Sequence, residues 1–250
     1  MSGHSKWATT KHRKAAQDKK RSALFSKLAR MVTVAAKDGG DPSPDNNAPL
    51  AAAIAKAKSY SLPKDKIESA IAKAFGAGEG ANYEEVVYEG YGPAGVAIYV
   101  EALTDNRNRT AADVRSAFTR AGGNLGATGS VAFQFERKGQ IVVDVAGAPD
   151  EDELILIVAD AGGEDLELGD DEWIVSTAPA EVMAVNAALE AAGIPVKGAE
   201  LVMEPVNETA VSLVDARKVM RLIDALEDND DIQNVYHSME LTEEIAAAFE

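Results

Sequence analysis

The sequence predicts an α+β protein of three domains: an N-terminal three-helix bundle, a central α/β domain and an inserted ferredoxin-like βαββαβ domain. Three observations carry this expectation. Apolar residues recur at three- and four-residue steps over the first 80 positions, the pattern turns to alternation beyond residue 83, and residues 139–204 read strand, helix, strand, strand, helix, strand. In the bundle, Leu24, Leu28, Met31, Val32 and Ala35 share one helical face, and Gly39 and Gly40 end that helix. Pro49 suits the first turn of a second helix through Leu50, Ile54 and Ala57. Pro63 opens a third in the same way, through Ile67, Ile71 and Phe75.

Beyond the bundle, Val96, Ile98 and Val100 mark a strand, residues 110–121 a helix with Val114, Ala117 and Phe118 inward, and Val131, Phe133 and Phe135 a further strand. The turn from Gly90 to Gly95 is expected to join two strands with Tyr91 at its tip. In the inserted unit the strands are 141–145, 164–168, 173–177 and 196–203, with helices over 149–161 and 179–192. A last helix, 212–226, and a strand, 232–237, have no partners of their own, so they are expected to return to the sheet begun at residue 83. The expected divisions are a basic flexible arm (1–21), a helical domain (22–80), a central domain (81–138 with 205–240), an inserted acidic domain (139–204) and a C-terminal extension (241–250).

Charge is unevenly spread over the 250 residues. The chain has 25 Lys and Arg against 41 Asp and Glu, a formal charge of -16 that taken alone argues against a nucleic-acid partner. Residues 1–37, however, hold ten Lys or Arg and one acid, Asp18, which is +9, while the remainder holds 15 cations and 40 acids, which is -25. The absence of cysteine excludes disulfides, Cys-ligated metals and thiol nucleophiles. No apolar run is long enough for a bilayer span and the N-terminus has no signal-type apolar core, so a cytoplasmic protein without a membrane partner is expected.

Two segments point to phosphate chemistry. The arm offers Lys6, Lys11, His12, Arg13, Lys14, Lys19, Lys20 and Arg21, which attract a phosphate backbone through counterion release, and Trp7, which can stack on an unpaired base. The second segment runs from Thr104 to Thr110, where Arg107, Asn108 and Arg109 sit at a strand end and a helix start, with Arg115 and Arg120 following. Arginine forks beside free helix-terminal amides suit an anion. The same residues also fit a capped turn whose arginines pair with acids of the body. On the anion reading, Arg107→Ala with Arg109→Ala is expected to abolish function and spare the fold. The glycine-rich stretch Gly122 to Ser130 lacks the Lys-Ser/Thr ending of a phosphate-binding loop and reads as a flexible connection. The acidic runs Asp150 to Glu153 and Asp170 to Glu172 read as solvated faces. No catalytic constellation, cofactor site or small-molecule substrate is expected.

These stretches resemble the YebC/PmpR family, which includes the mitochondrial translational activator of cytochrome oxidase subunit one. The matching segments are Gly3 to Trp7 with Lys11 to Lys14, Asn46 to Lys58, Pro63 to Asp65, Tyr88 to Pro93, Leu103 to Thr110, Gly122 to Gly126 and Gly129 to Val131. Ala94 stands where the family usually has Gly, Leu62 where Met is usual and Lys66 where Asn is usual. The resemblance implies three domains and a non-enzymatic regulator. Residues and resemblance together predict a cytoplasmic nucleic-acid-binding regulatory protein; the resemblance implies a DNA-binding transcriptional regulator, whereas the residues alone favour a translation factor. The alternative is a ribosome-associated translation factor that binds ribosomal RNA or tRNA and relieves stalling. No helix-turn-helix with a base-reading helix is visible, so binding is expected to be directed at the backbone and steeply dependent on salt.

Overall fold

The computed structural model describes residues 18–76, 83–169 and 172–249, with side chains from residue 23 onward. Helix α1 (Asp18–Gly39) packs Leu28, Val32 and Ala36 against α2 (Ala48–Ser59) and α3 (Lys64–Phe75), burying Leu50, Ala53, Ala57, Ile67 and Ala70 between them. The helix starts earlier than expected, so Lys19, Lys20 and Arg21 belong to it and not to the arm. Lys and Arg are good helix formers, and neither Gly nor Pro interrupts residues 18–38. Asn47 caps α2, its side chain accepting from the Leu50 amide at 3.0 Å while its amide donates to the carbonyls of Ala35 and Asp41.

The central sheet has the order β3-β1-β2-β8, all antiparallel, from β1 (Glu84–Tyr91), β2 (Ala97–Thr104), β3 (Asn124–Leu125) and β8 (Ile232–His237). Helices α4 (Arg107–Ala121) and α7 (Leu213–Glu227) cover one face and bury Val114, Phe118, Val219, Leu222 and Ile223 against Ile98 and Val100. Ile245 of the short helix α8 (Glu243–Ala247) joins this core. The inserted sheet has the order β5-β6-β4-β7, from β4 (Phe135–Asp144), β5 (Asp165–Leu168), β6 (Glu172–Thr177) and β7 (Val196–Pro205). With α5 (Glu151–Ala161) and α6 (Val182–Ala191) on one face, this is the antiparallel ferredoxin-like arrangement. The chain is thus α+β. Among the described residues no helix is long and apolar enough to cross a membrane.

Three local expectations are corrected. The strand expected at Val131 to Glu136 is a 3-10 turn at Ala132–Gln134, and one ten-residue strand, β4, continues from Phe135 into the inserted sheet. The reason lies in Glu89, a buried carboxylate that accepts from the amides of Gly129 (2.7 Å), Val131 (2.8 Å) and Ala132 (2.8 Å) and withdraws them from strand pairing. The glycine-rich stretch is therefore held in place, and Asn124 and Leu125 pair with Tyr91 and Gly90. Only glycine fits at position 90, since a Cβ there would lie 2.6 Å from the Asn124 carbonyl oxygen and 2.7 Å from the Phe118 ring. Tyr91 is not at a turn tip. It ends β1, its hydroxyl donates to the Ser130 carbonyl (3.1 Å) and accepts from Gln134 (2.9 Å), and the tip is Pro93–Gly95.

Candidate nucleic-acid interface

Asp231, between α7 and β8, is only 4% exposed and gathers groups distant in sequence. Arg109 Nη2 donates to its Oδ2 at 2.8 Å, Thr110 Oγ1 at 2.7 Å and Thr104 Oγ1 at 3.1 Å, and Arg30 Nη1 of α1 lies 2.9 Å from its Oδ1. Arg30 also reaches the carbonyls of Leu103 and Asp230 and lies over the Tyr83 ring, 4.9 Å from its centre. Burial pushes the Asp231 carboxyl up, but the hydrogen bonds from Arg109 and Thr110 and the charges of Arg109 and Arg30 outweigh it and hold the group below the usual carboxylate range. The hydrogen bonds that Arg109 donates to Asp231 and Asp105 in turn raise it above its ordinary value. This junction seats the helical domain on the start of α4. Lys27 adds a bond from Nζ to the Glu227 carbonyl at 2.6 Å, and Lys56 pairs with Glu200 of the inserted domain. The three units enclose a cavity of about 940 Å³ whose lining includes Leu24, Met31, Glu101, Val202 and Asn234.

The Thr104 to Thr110 segment combines both readings of its sequence. Asn106 caps α4, its side chain accepting from the Arg109 amide at 3.1 Å, and Thr104 accepts from the Asn106 amide at 2.9 Å. The Arg109 amide belongs to this cap and its side chain bridges Asp105 and Asp231, so Arg109→Ala keeps the cap and removes both side-chain bonds. Arg107 and Asn108 are exposed, and Arg107 forms no ion pair among the described residues. Its carbonyl accepts from the Tyr88 hydroxyl at 3.3 Å. At about 100° per residue, Arg109 and Arg120 fall on the flank of α4 that faces α7, whereas Asn108 and Arg115 fall on the opposite flank. Arg115 is exposed and also without an ion pair among the described residues. The four arginines of 107–120 therefore do not form one patch.

Of the arm residues, Lys6, Trp7, Lys11, His12, Arg13 and Lys14 lie outside the described residues. Lys19, Lys20 and Arg21 are placed by their helical backbone alone, in the first turn of α1, and Ala23 and Leu24 just beyond them line the cavity together with Arg217 and Arg221 of α7. Three cations went unremarked in the sequence: Arg217, Lys218 and Arg221. They fall within five residues on the exposed side of an amphipathic helix, a signal that was available. Arg30 and Asp231 could not be paired from sequence, since some 200 residues separate them.

A three-domain α+β protein with an N-terminal helical unit and two antiparallel sheets is the class defined by this geometry. The chain belongs to the TACO1/YebC family: the model of the family's N-terminal domain matches residues 5–77, and that of its second and third domains matches residues 83–239. A probable transcriptional regulatory protein of Rubrobacter xylanophilus is 52% identical over 248 residues, covering 99% of this chain and 98% of the relative. One from Lactobacillus acidophilus is 53% identical over 237 residues, 94% of this chain and 97% of that protein. The crystal structure of a conserved hypothetical protein from Aquifex aeolicus superimposes with a TM-score of 0.84 at 44% identity, covering 91% of this chain and 93% of that one.

Proposed function

We propose that this protein is a DNA-binding regulator of transcription, acting in the cytoplasm without catalysing a reaction. The observation that carries the reading is the junction at Asp231. It fixes α1, whose first turn bears Lys19, Lys20 and Arg21, against the start of α4, where Arg107 is exposed and unpaired among the described residues. Asp18 lies 12 residues before Arg30, about 18 Å along a helix, so the first turn of α1 and Arg107 are joined through one continuous helix and the Asp231 junction. The relatives named as probable transcriptional regulatory proteins support the same reading. Contacts are to phosphates: Lys6, Lys11, Arg13, Lys14, Lys19, Lys20 and Arg21 neutralise the backbone, with His12 and Asn108 as donors, Trp7 against an exposed base, and Arg107 and Arg115 as further cationic contacts. Arg109 orients the Arg107 turn through Asp231 and Asp105.

Crosslinking the tagged protein in living cells, with sequencing of the recovered DNA and RNA, tests the proposal. Discrete DNA peaks at promoters are expected. Ribosomal RNA or tRNA at a few defined positions, without DNA peaks, would assign the protein to translation instead.

A further inference from the structure

Helices α4 and α7 lie side by side on the central sheet, and between them runs a surface groove of about 620 Å³. We propose that this groove is a second seat for a nucleic-acid phosphate backbone, held by Arg120 from one rim and by Lys218 and Arg221 from the other. The proposal rests on the reading of the protein as a nucleic-acid binder and adds to it a surface that is distinct from the Arg107 turn and shares Arg221 with the cavity beside the start of α1.

The first argument is charge. The groove lining carries three cations and one acid, Asp113, whereas residues 38–250 as a whole carry 15 cations and 40 acids. A local inversion on this scale concentrates positive potential in a concave surface. The second is availability. Arg120 and Arg221 form no ion pair among the described residues, and the Arg221 Nε donation to the Arg217 carbonyl at 3.2 Å leaves the outer guanidinium nitrogens free to turn outward. Lys218 pairs with Asp215 at 2.8 Å, an exposed bond that a phosphate replaces readily. The third is shape. Buried Val114 and Leu226, with the small side chains of Ala117, Ala121 and Ala225, line the groove between the rims, so a backbone can settle there, and no aromatic ring lines it among the described residues. Lys218 and Arg221 are three residues apart on one helix face, about 4.5 Å along the axis, which lets their long side chains engage neighbouring phosphates of one strand.

The test is fluorescence anisotropy of a labelled DNA duplex and of an RNA duplex of the same sequence, titrated with the full chain over a range of salt concentrations. Arg120→Gln with Lys218→Gln and Arg221→Gln keeps the side-chain stems and removes the charges. Each cation that neutralises a phosphate contributes about 0.9 to the slope of log K against log salt, so the triple variant is expected to lose about 2.7 from it. Its thermal unfolding should match that of the unaltered protein. Loss on both duplexes assigns the groove to phosphates of either nucleic acid, and loss on one assigns it to that one. The control, Lys138→Gln with Lys197→Gln, removes two cations already held by acids of the inserted domain and should leave the slope unchanged. An unchanged slope in the triple variant would overturn the groove while leaving the nucleic-acid reading intact. Failure of the unaltered chain to bind either duplex would overturn that reading itself.

Discussion

Asp231→Asn removes one negative charge from a site where two arginines and two threonine hydroxyls converge. The carboxylate side chain is 5% exposed and Arg30 16%, so on that side the remaining partner stays largely away from water, whereas Arg109 at 49% can turn outward. Removing one member of a buried pair costs roughly 3–5 kcal/mol, and with Arg109 able to re-solvate the lower end applies, about 3 kcal/mol. For a chain of this size each kcal/mol lowers the Tm by about 2–4 °C, so a fall of about 6–12 °C is expected for the unit formed by α1 and the central domain. Asp231 titrates below its unfolded value, so its stabilisation is fully present above about pH 4 and is lost as pH falls through the lower, folded value. The gap between the unaltered protein and the variant should thus hold from pH 7 to 5 and close only in stronger acid. Scanning calorimetry at several pH values reads both quantities. A Tm within about 1 °C of the unaltered protein at pH 7 would refute the claim that Asp231 joins the helical and central domains.

Glu89→Gln should weaken the three amide contacts that hold residues 129–132, by about 2 kcal/mol, and accelerate hydrogen exchange at Gly129, Val131 and Ala132 more than tenfold; unchanged protection would contradict the role given to that carboxylate. Ala94 adopts φ 58° and ψ 15°, a left-handed conformation that suits glycine, so Ala94→Gly should gain about 0.5–1 kcal/mol in chemical denaturation, and a loss would show that the alanine methyl is needed. Burial holds the Lys27 ammonium down to about 8. The unfolded chain therefore binds more proton between about pH 8 and 10.4, and rising pH in that window stabilises the fold through this group. Against Lys27→Gln, the unaltered protein should gain relative Tm between pH 7.5 and 9.5; a constant difference would place Lys27 in water.

Elements that rest on local pattern were legible in the sequence. Pro49 and Pro63 open their helices, Val96, Ile98 and Val100 lie in β2, and the alternation of strands and helices in the inserted unit appears as one four-stranded sheet. What escaped depends on contacts between distant residues. The Val131 to Phe135 alternation reads as a strand, yet a glutamate some 40 residues earlier takes up its amides. Two-residue β3 is too short to leave a periodic signal and exists because Gly90 lets the chain approach. At the candidate site, the clustering of cations near residue 107 was visible, but its division between two flanks of α4 follows from helical phase, and the burial of Asp231 beside Arg109 from the return of β8. The α7 cations could have been singled out by their spacing, but their position beside α4 required the tertiary fold.

Binding of a DNA duplex across a salt series, with the full chain and with Lys6, Lys11, Arg13 and Lys14 all changed to Gln, bears most directly on the central claim. The account predicts that the full chain binds DNA with log K falling linearly in log salt, and that the variant loses about 0.9 of slope for each removed phosphate contact, up to about 3.6. A full chain that leaves duplex DNA unbound at low salt, or one whose affinity and slope are unaffected by those four changes, would contradict it.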